Sequence, residues 1–210
     1  MGGDYFDFLS LGPQRLGLVL GDISGKGMPA ALLMANLQAN LRSQYVTAWE
    51  EPTQFLDSVN RLFYQNTIDS AYATLFFAEY DDRVHRLRYA NCGHYSALLL
   101  RAAGQLERLD STGTVLGLFD EWRCHFEERQ LQLGDTLVLY TDGVTESLDG
   151  RGEEFGEERL VETLRRNLSL PTQRLLASVV DEVRAFSPQE QHDDITLIVA
   201  KCKDAPELLR

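Results

Sequence analysis

Residues 19–38 read "VLGDISGKGMPAALLMANLQ", and the rest of the chain is best read outward from them. An apolar run stops at Asp22, glycines bracket Ser24 and Lys26, and a helical pattern begins near Pro29. A glycine-rich bend with a lysine, set between a strand and a helix, commonly holds phosphate. The P-loop pattern G-x-x-x-x-G-K-[ST] does not fit, because Leu20 stands where its first glycine belongs and Gly27 where its hydroxyl residue belongs. An aspartate aimed into such a bend would repel phosphate unless a cation stood between them. Asp22 therefore asks for a metal.

Downstream, Leu33, Met34, Leu37 and Leu41 recur at helical spacing, and Pro29 lies where a first helical turn tolerates proline. A second helix is expected after Pro52, with Phe55, Val59, Leu62 and Phe63 on one face, so that the pair spans roughly residues 29–44 and 53–65. From Tyr72 the rhythm becomes that of strands: "YATLFFAEYD", "VHRLRYANCG", "SALLLRA", "QLERL", "HFEERQLQL" and "TLVLYTDG". Turn signals fall at Asp81-Asp82, Ala103-Gly104 and Gly134-Asp135, and links this short predict antiparallel hairpins. Two further helices, around Leu160 to Leu164 and through Leu175, Leu176, Val179 and Val183, precede a last strand in "DITLIVAKC". Antiparallel runs with helices before and after them predict an α+β fold rather than a doubly wound sheet.

Composition narrows the function. The chain has 210 residues, enough for one well-buried core, and no linker or low-complexity tract divides it, so a single domain over 1–210 is expected. Lys and Arg number 20 against 32 Asp and Glu, and 20 − 32 = −12, a charge that disfavours nucleic acid and anionic membranes. Three cysteines, Cys92, Cys124 and Cys202, show no C-x-x-C spacing, which argues against a disulfide framework or a zinc site. No apolar stretch approaches the roughly 18 residues of a membrane span and no signal pattern opens the chain, so a soluble, cytoplasmic protein is expected.

Several carboxylates punctuate strand ends: Asp4 and Asp7 in "GGDYFDF", Asp22 after "LGLVLG", Asp142 in "YTDGVTE", and Asp193-Asp194 in "QHDDITLIV". A lone aspartate in such a place is ordinarily a turn former or cap. Strand-end carboxylates gathered from distant parts of a chain instead make an oxygen-rich site for hard divalent ions.

Taken in order, "GGDYFDF", "GDISGKGMPAALLMA", "ANCGHYSALLL", "LYTDGVTES" and "HDDITLIV" resemble the SpoIIE/RsbU-type bacterial branch of the PPM (PP2C-like) metal-dependent serine/threonine phosphatases. The resemblance runs from residue 2 to about residue 202. It implies a four-layer α-β-β-α sandwich, with two antiparallel sheets flanked by helices, and a pair of Mn²⁺ or Mg²⁺ ions. Carried over motif by motif, Asp22 would bridge the two metals and the Ile23 carbonyl would add an oxygen; Asp4 would face the first ion, and Asp142 and Asp193 would hold the second. Asp193 is preferred to Asp194 because the family's acidic residue falls three before the strand-opening threonine, here Thr196. Asp7 reads as structural or as an outer-shell carboxylate.

Two such ions, about 3.5–4 Å apart, neutralise a phosphate and lower the pKa of a water held between them, so no side-chain nucleophile is required. Ser24, with no histidine partner near it in sequence, is not expected to be one. Ser24 stands where eukaryotic-type members carry a histidine, and no arginine precedes Arg15 to grip phosphate, so the general acid is unassigned. His94 is a candidate for that acid and Lys26 for contact with phosphate, with a structural strand-end histidine and a loop-fixing lysine as the plainer readings.

The resemblance further implies a phosphoserine or phosphothreonine substrate on a STAS-domain anti-sigma-factor antagonist. It also implies regulation through the helix pair after Asp22, and it allows a homodimer. Family domains carry another strand before the Gly-Gly-Asp motif. The expectation is therefore a domain excised from a longer chain, without its first strand and with an upstream sensory or receiver domain. The alternatives are a PP2C-like interaction module that has lost catalysis, a phosphatase of small molecules, and a diguanylate cyclase suggested by "GGDYF". In the last of these, Tyr5 replaces the acidic residue of the cyclase signature.

Overall fold

The alternation in "YFDFLS" survives in three dimensions. In the computed structural model, which describes residues 3–45, 50–67, 71–188 and 194–203, Tyr5, Asp7 and Leu9 of β1 (Tyr5–Ser10) are buried and the residues between them exposed. β1 pairs antiparallel with β2 (Arg15–Ile23), β2 with β3 (Ala73–Asp81), and β3 with β4 (Arg86–Cys92). β7 (Glu127–Gln130) joins β4, giving the order β1-β2-β3-β4-β7. These strands belong to one compact unit, Met1–Ser96 with Leu109–Gln130.

Two helices separate β2 from β3, close to the expected bounds. α1 (Met28–Gln44) opens where Gly27, at φ 78°, turns the chain in a conformation that glycine adopts without strain. Pro29 then occupies the first turn, where its missing N–H has no partner to lose. α2 (Pro52–Asn66) begins on a proline for the same reason. Leu37 and Leu41 of α1 and Phe55, Leu56, Val59 and Phe63 of α2 form one buried cluster with Leu9, Val19, Ile23, Leu75 and Phe77. Each such side chain contributes about 1.5–3 kcal/mol by leaving water, which is what holds these helices to the sheet.

The same sheet buries a charge far from Asp22. Glu79 of β3 is 0% exposed and sits in register with Arg88 of β4, whose Nε donates to Glu79 Oε2 at 2.8 Å, while Glu79 Oε1 has no hydrogen-bond partner among the described residues. Burial pushes its pKa up to about 7 against the opposing pull of Arg88, Arg15 and Arg86. An acid whose folded pKa exceeds its unfolded value destabilises the fold above the folded pKa, where it is ionised in both states. That cost is relieved as pH falls toward the unfolded pKa. Stability is expected to rise by on the order of 2–3 kcal/mol as pH falls from about 8 to about 5. Glu79→Gln should flatten most of that slope when melting temperature is followed across the interval, and an unchanged slope would place the titration elsewhere.

The second compact unit is Ala97–Arg108 with Leu131–Arg210. Its sheet contains β5 (Ala97–Leu100), β6 (Leu106–Leu109), β8 (Thr136–Tyr140) and β9 (Leu197–Lys201) in the order β6-β5-β8-β9. α3 (Asp142–Thr145), α4 (Gly156–Asn167) and α5 (Thr172–Phe186) lie between β8 and β9 in sequence. Leu98, Leu100, Val138 and Tyr140 pack with Leu160, Leu164, Leu175, Val179 and Val183, the apolar faces that the sequence marks.

Not every short link is a hairpin, contrary to expectation. The turns at Asp81-Asp82 and Ala103-Gly104 do join paired strands. The links from β4 to β5 and from β7 to β8 instead carry the chain from one sheet to the other. Buried side chains replace the missing ladder bonds. In the first link, Asn91 accepts from the His94 N–H at 2.8 Å and donates to the carbonyls of Leu109 and Tyr95. In the second, Asp135 accepts from the N–H groups of Gln132 and Ala102 and from Arg101.

Candidate metal centre

In the first unit the site is built on the end of β2. Residues Leu18–Gly21 are buried, and Asp22 follows, half-buried, opposite Thr74 of β3. On its other side runs the segment that leads into β1. The Ile23 N–H donates to the Gly3 carbonyl at 3.3 Å. A Cβ on Gly3 would lie 2.6 Å from the Ile23 carbonyl oxygen and 2.9 Å from Asp22 Oδ1, so only glycine lets the chain pass this close. Asp4 comes next in sequence, also half-buried. The structure thus gathers the Gly3-Asp4 main chain, the Asp22 carboxylate and the Ile23 carbonyl at one place.

The bend after Asp22 is fastened rather than reactive. The Ser24 N–H donates to the Tyr72 carbonyl, and the Tyr72 N–H donates to Ser24 Oγ, each at 2.9 Å. Gly25 and Gly27 take φ of 95° and 78°, which supply the sharp turn expected of them. Lys26 is exposed. His94 is 8% exposed, and its Nδ1 lies 2.8 Å from Thr74 Oγ1.

Asp7 belongs to the packing of β1 against α1. It accepts from Tyr5 Oη at 2.6 Å, from Arg42 Nε and Nη2 at 2.6 Å each, and from the Phe8 N–H at 2.8 Å. Burial alone would raise its pKa, but these donors outweigh it and hold the carboxyl below its ordinary value.

In the second unit Asp142 follows β8 and opens α3. The Thr141 N–H donates to the Thr196 carbonyl at 3.1 Å, and the Thr196 N–H returns to Thr141 Oγ1 at 3.2 Å. The chain entering β9 is thereby fixed beside Asp142. The Gly143 N–H donates to Asp142 Oδ1 at 2.8 Å, and a Cβ on Gly143 would stand 2.0 Å from the Asp194 carbonyl oxygen. The Asp194 side chain is exposed; Asp193, the preferred ligand, lies outside the described residues.

Among the described residues no three His, Cys, Asp or Glu side chains form a group able to hold an ion. The implied set relies on the Ile23 main-chain oxygen and on Asp193, neither of which such a group would include. The donors are all oxygens, the chemistry of Mg²⁺ and Mn²⁺ rather than zinc, and the cleared approach at Gly3 fits them. Gly3, Thr74 and Gly143 were not singled out from sequence, since each matters through a contact with a distant segment.

Among known proteins, a Bacillus subtilis protein named phosphoserine phosphatase RsbU is 30% identical over 206 residues, which cover 97% of this chain and 60% of that one. The chain therefore spans less than two thirds of this relative's length. The solved RsbU and RsbW domains of a Mycobacterium tuberculosis protein superpose with TM-score 0.82 at 28% identity, covering 97% of this chain and 56% of that one. The PP2C phosphatase domain of Bacillus subtilis SpoIIE, with a fragment of its regulatory domain, gives TM-score 0.81 at 18% identity over 96% of this chain and 59% of that one. The fold is accordingly the α+β, PP2C-like sandwich. Residues 12–203 match the family described as Stage II sporulation protein E, and the chain belongs to this SpoIIE family.

Proposed function

We propose that this chain is a metal-dependent phosphatase that hydrolyses phosphoserine or phosphothreonine on a protein. On the family pattern, Asp4, Asp22, the Ile23 carbonyl, Asp142 and Asp193 hold two divalent cations, Mn²⁺ or Mg²⁺. The observation that carries this reading is the glycine-only passage of residue 3 against both Asp22 Oδ1 and the Ile23 carbonyl, so that residue 3 places no side chain over either oxygen. When bound, such ions neutralise the phosphate and lower the pKa of water.

The chain's own residues set the frame. Ser24 is committed to the Tyr72 main chain and serves to shape the bend, not to attack phosphorus. With a net charge of −12 the protein does not draw a phosphate by its overall field, so recognition depends on the cations and on surface contacts with the substrate protein. The relative named phosphoserine phosphatase and the neighbour that joins RsbU and RsbW domains in one protein support a partner-switching substrate, a STAS-domain anti-sigma-factor antagonist, in the cytoplasm. Among the described residues no helix is long and apolar enough to cross a membrane. The relatives' greater length is consistent with a further sensory or receiver domain in the same polypeptide, and a homodimer fits the proposal.

The test is hydrolysis of a phosphoserine peptide with Mn²⁺ titrated in. Turnover that requires the metal supports the reading. Mn²⁺ binding without turnover on peptide or phosphoprotein would favour an interaction module instead.

A further inference from the structure

We propose that Thr74 and His94 act together as positioning residues for Asp22, setting the affinity of the site for divalent metal. This inference rests on the metal-dependent reading above. Asp22 and Thr74 are register partners on adjacent antiparallel strands, so their side chains leave the sheet on the same face as direct neighbours. Thr74 Oγ1 lies 2.8 Å from His94 Nδ1 and 3.5 Å from the Asp22 carbonyl oxygen. A carbonyl only accepts. A Thr74 hydroxyl turned toward it therefore accepts in turn from His94 Nδ1–H, which orders the pair in one direction.

The histidine is itself held from behind. Its N–H donates to Asn91 Oδ1 at 2.8 Å, and Asn91, 0% exposed, is locked by the Leu109 carbonyl and by a main-chain bond from Thr112. Gly93 makes the intervening turn at φ 68°, and a Cβ there would stand 2.6 Å from Val115 Cγ1. From Leu109 and Thr112 through Asn91 and His94 to Thr74, a run of buried or half-buried polar groups ends beside Asp22. On the opposite side Asp22 Oδ1 faces the Gly3 main chain. Asp22 thus has Thr74 on one side and the Gly3 main chain on the other. A polar chain that ends on the Asp22 main-chain carbonyl fixes the backbone from which its carboxylate projects, whereas packing alone would be served as well by an apolar side chain.

The experiment is Mn²⁺ binding to the 210-residue chain, read by the electron paramagnetic resonance of free Mn²⁺, with melting temperature measured without metal. Thr74→Val keeps the shape and removes the hydroxyl; His94→Phe removes the nitrogen. Each is expected to weaken Mn²⁺ binding about 10- to 100-fold. The double variant should lose no more than the worse single one, as for residues acting as a unit. Thr74→Ser should bind like the wild type. Wild-type affinity in Thr74→Val, or additive losses in the double variant, would overturn the proposal while leaving the metal reading intact, provided Asp22→Asn no longer binds. A wild-type chain that binds no Mn²⁺ at millimolar concentration would overturn both. Should His94→Phe not fold, the difference in affinity between Thr74→Val and Thr74→Ser still decides the matter: a loss confined to valine supports the proposal, and equal affinities overturn it.

Discussion

Asp22→Asn should leave the fold intact and reduce metal-dependent hydrolysis by more than about 100-fold, beyond the 10- to 100-fold cost typical of residues that only support a ligand. The amide keeps the size and shape of the carboxylate, so the half-buried position between Gly3 and Thr74 is still filled. What changes is the chemistry: one oxygen becomes an NH₂ group, which donates where a cation needs an acceptor, and a full negative charge disappears. Because the site stays filled, the melting temperatures of the two metal-free proteins should agree within a few degrees. Adding Mn²⁺ separates them. A ligand at about 100 times its dissociation constant stabilises the native state by about 2.7 kcal/mol. For a chain of this size that is roughly 5–10 °C, expected for the wild type and absent in the variant. Near-wild-type turnover in Asp22→Asn would refute the assignment of the site.

Much of the candidate site was legible because the glycines around Ser24 and the strand-end aspartates are local signals. Asp22, the bend, both helices after it and most strands can be placed from spacing alone. The rest depends on pairing between segments far apart in sequence. Thr74 faces Asp22 only because β2 and β3 adopt one particular register, and a one-residue slip would turn it to the other face. Asp7 reads as structural or outer-shell in "GGDYFDF", but its partner, Arg42 on α1 with two hydrogen bonds to it, is visible only in the fold. Glu79 gives no local signal of its burial, which is set by the neighbouring strands and by Arg88 across the ladder. The links at 93–96 and 131–135 look like hairpins because length was the only guide; Asn91 and Asp135 make them crossings by satisfying main-chain groups that a hairpin would pair.

Gly143→Ala tests whether such a long-range contact builds the second half of the site. Gly143 follows Asp142 in the first turn of α3, where alanine would be the better helix former by about 1 kcal/mol. Local preference therefore predicts stabilisation. The contact predicts the reverse, because the added methyl would stand 2.0 Å from the Asp194 carbonyl oxygen and 2.9 Å from its carbonyl carbon. Those are main-chain atoms of a segment held at Thr196 by two hydrogen bonds from and to Thr141, so no side chain can swing aside. Either α3 or the chain entering β9 must move. Overpacking of this kind costs about 3 kcal/mol; after the helical gain about 2 kcal/mol remains, which should lower the melting temperature by roughly 4–8 °C. The same movement shifts Asp194 relative to Asp142, so Mn²⁺-dependent turnover should fall further than the loss of folded protein explains, when measured well below the melting transition. A variant as stable and as active as the wild type would show that this crossing is loose and that Asp142 does not depend on its neighbour for its position.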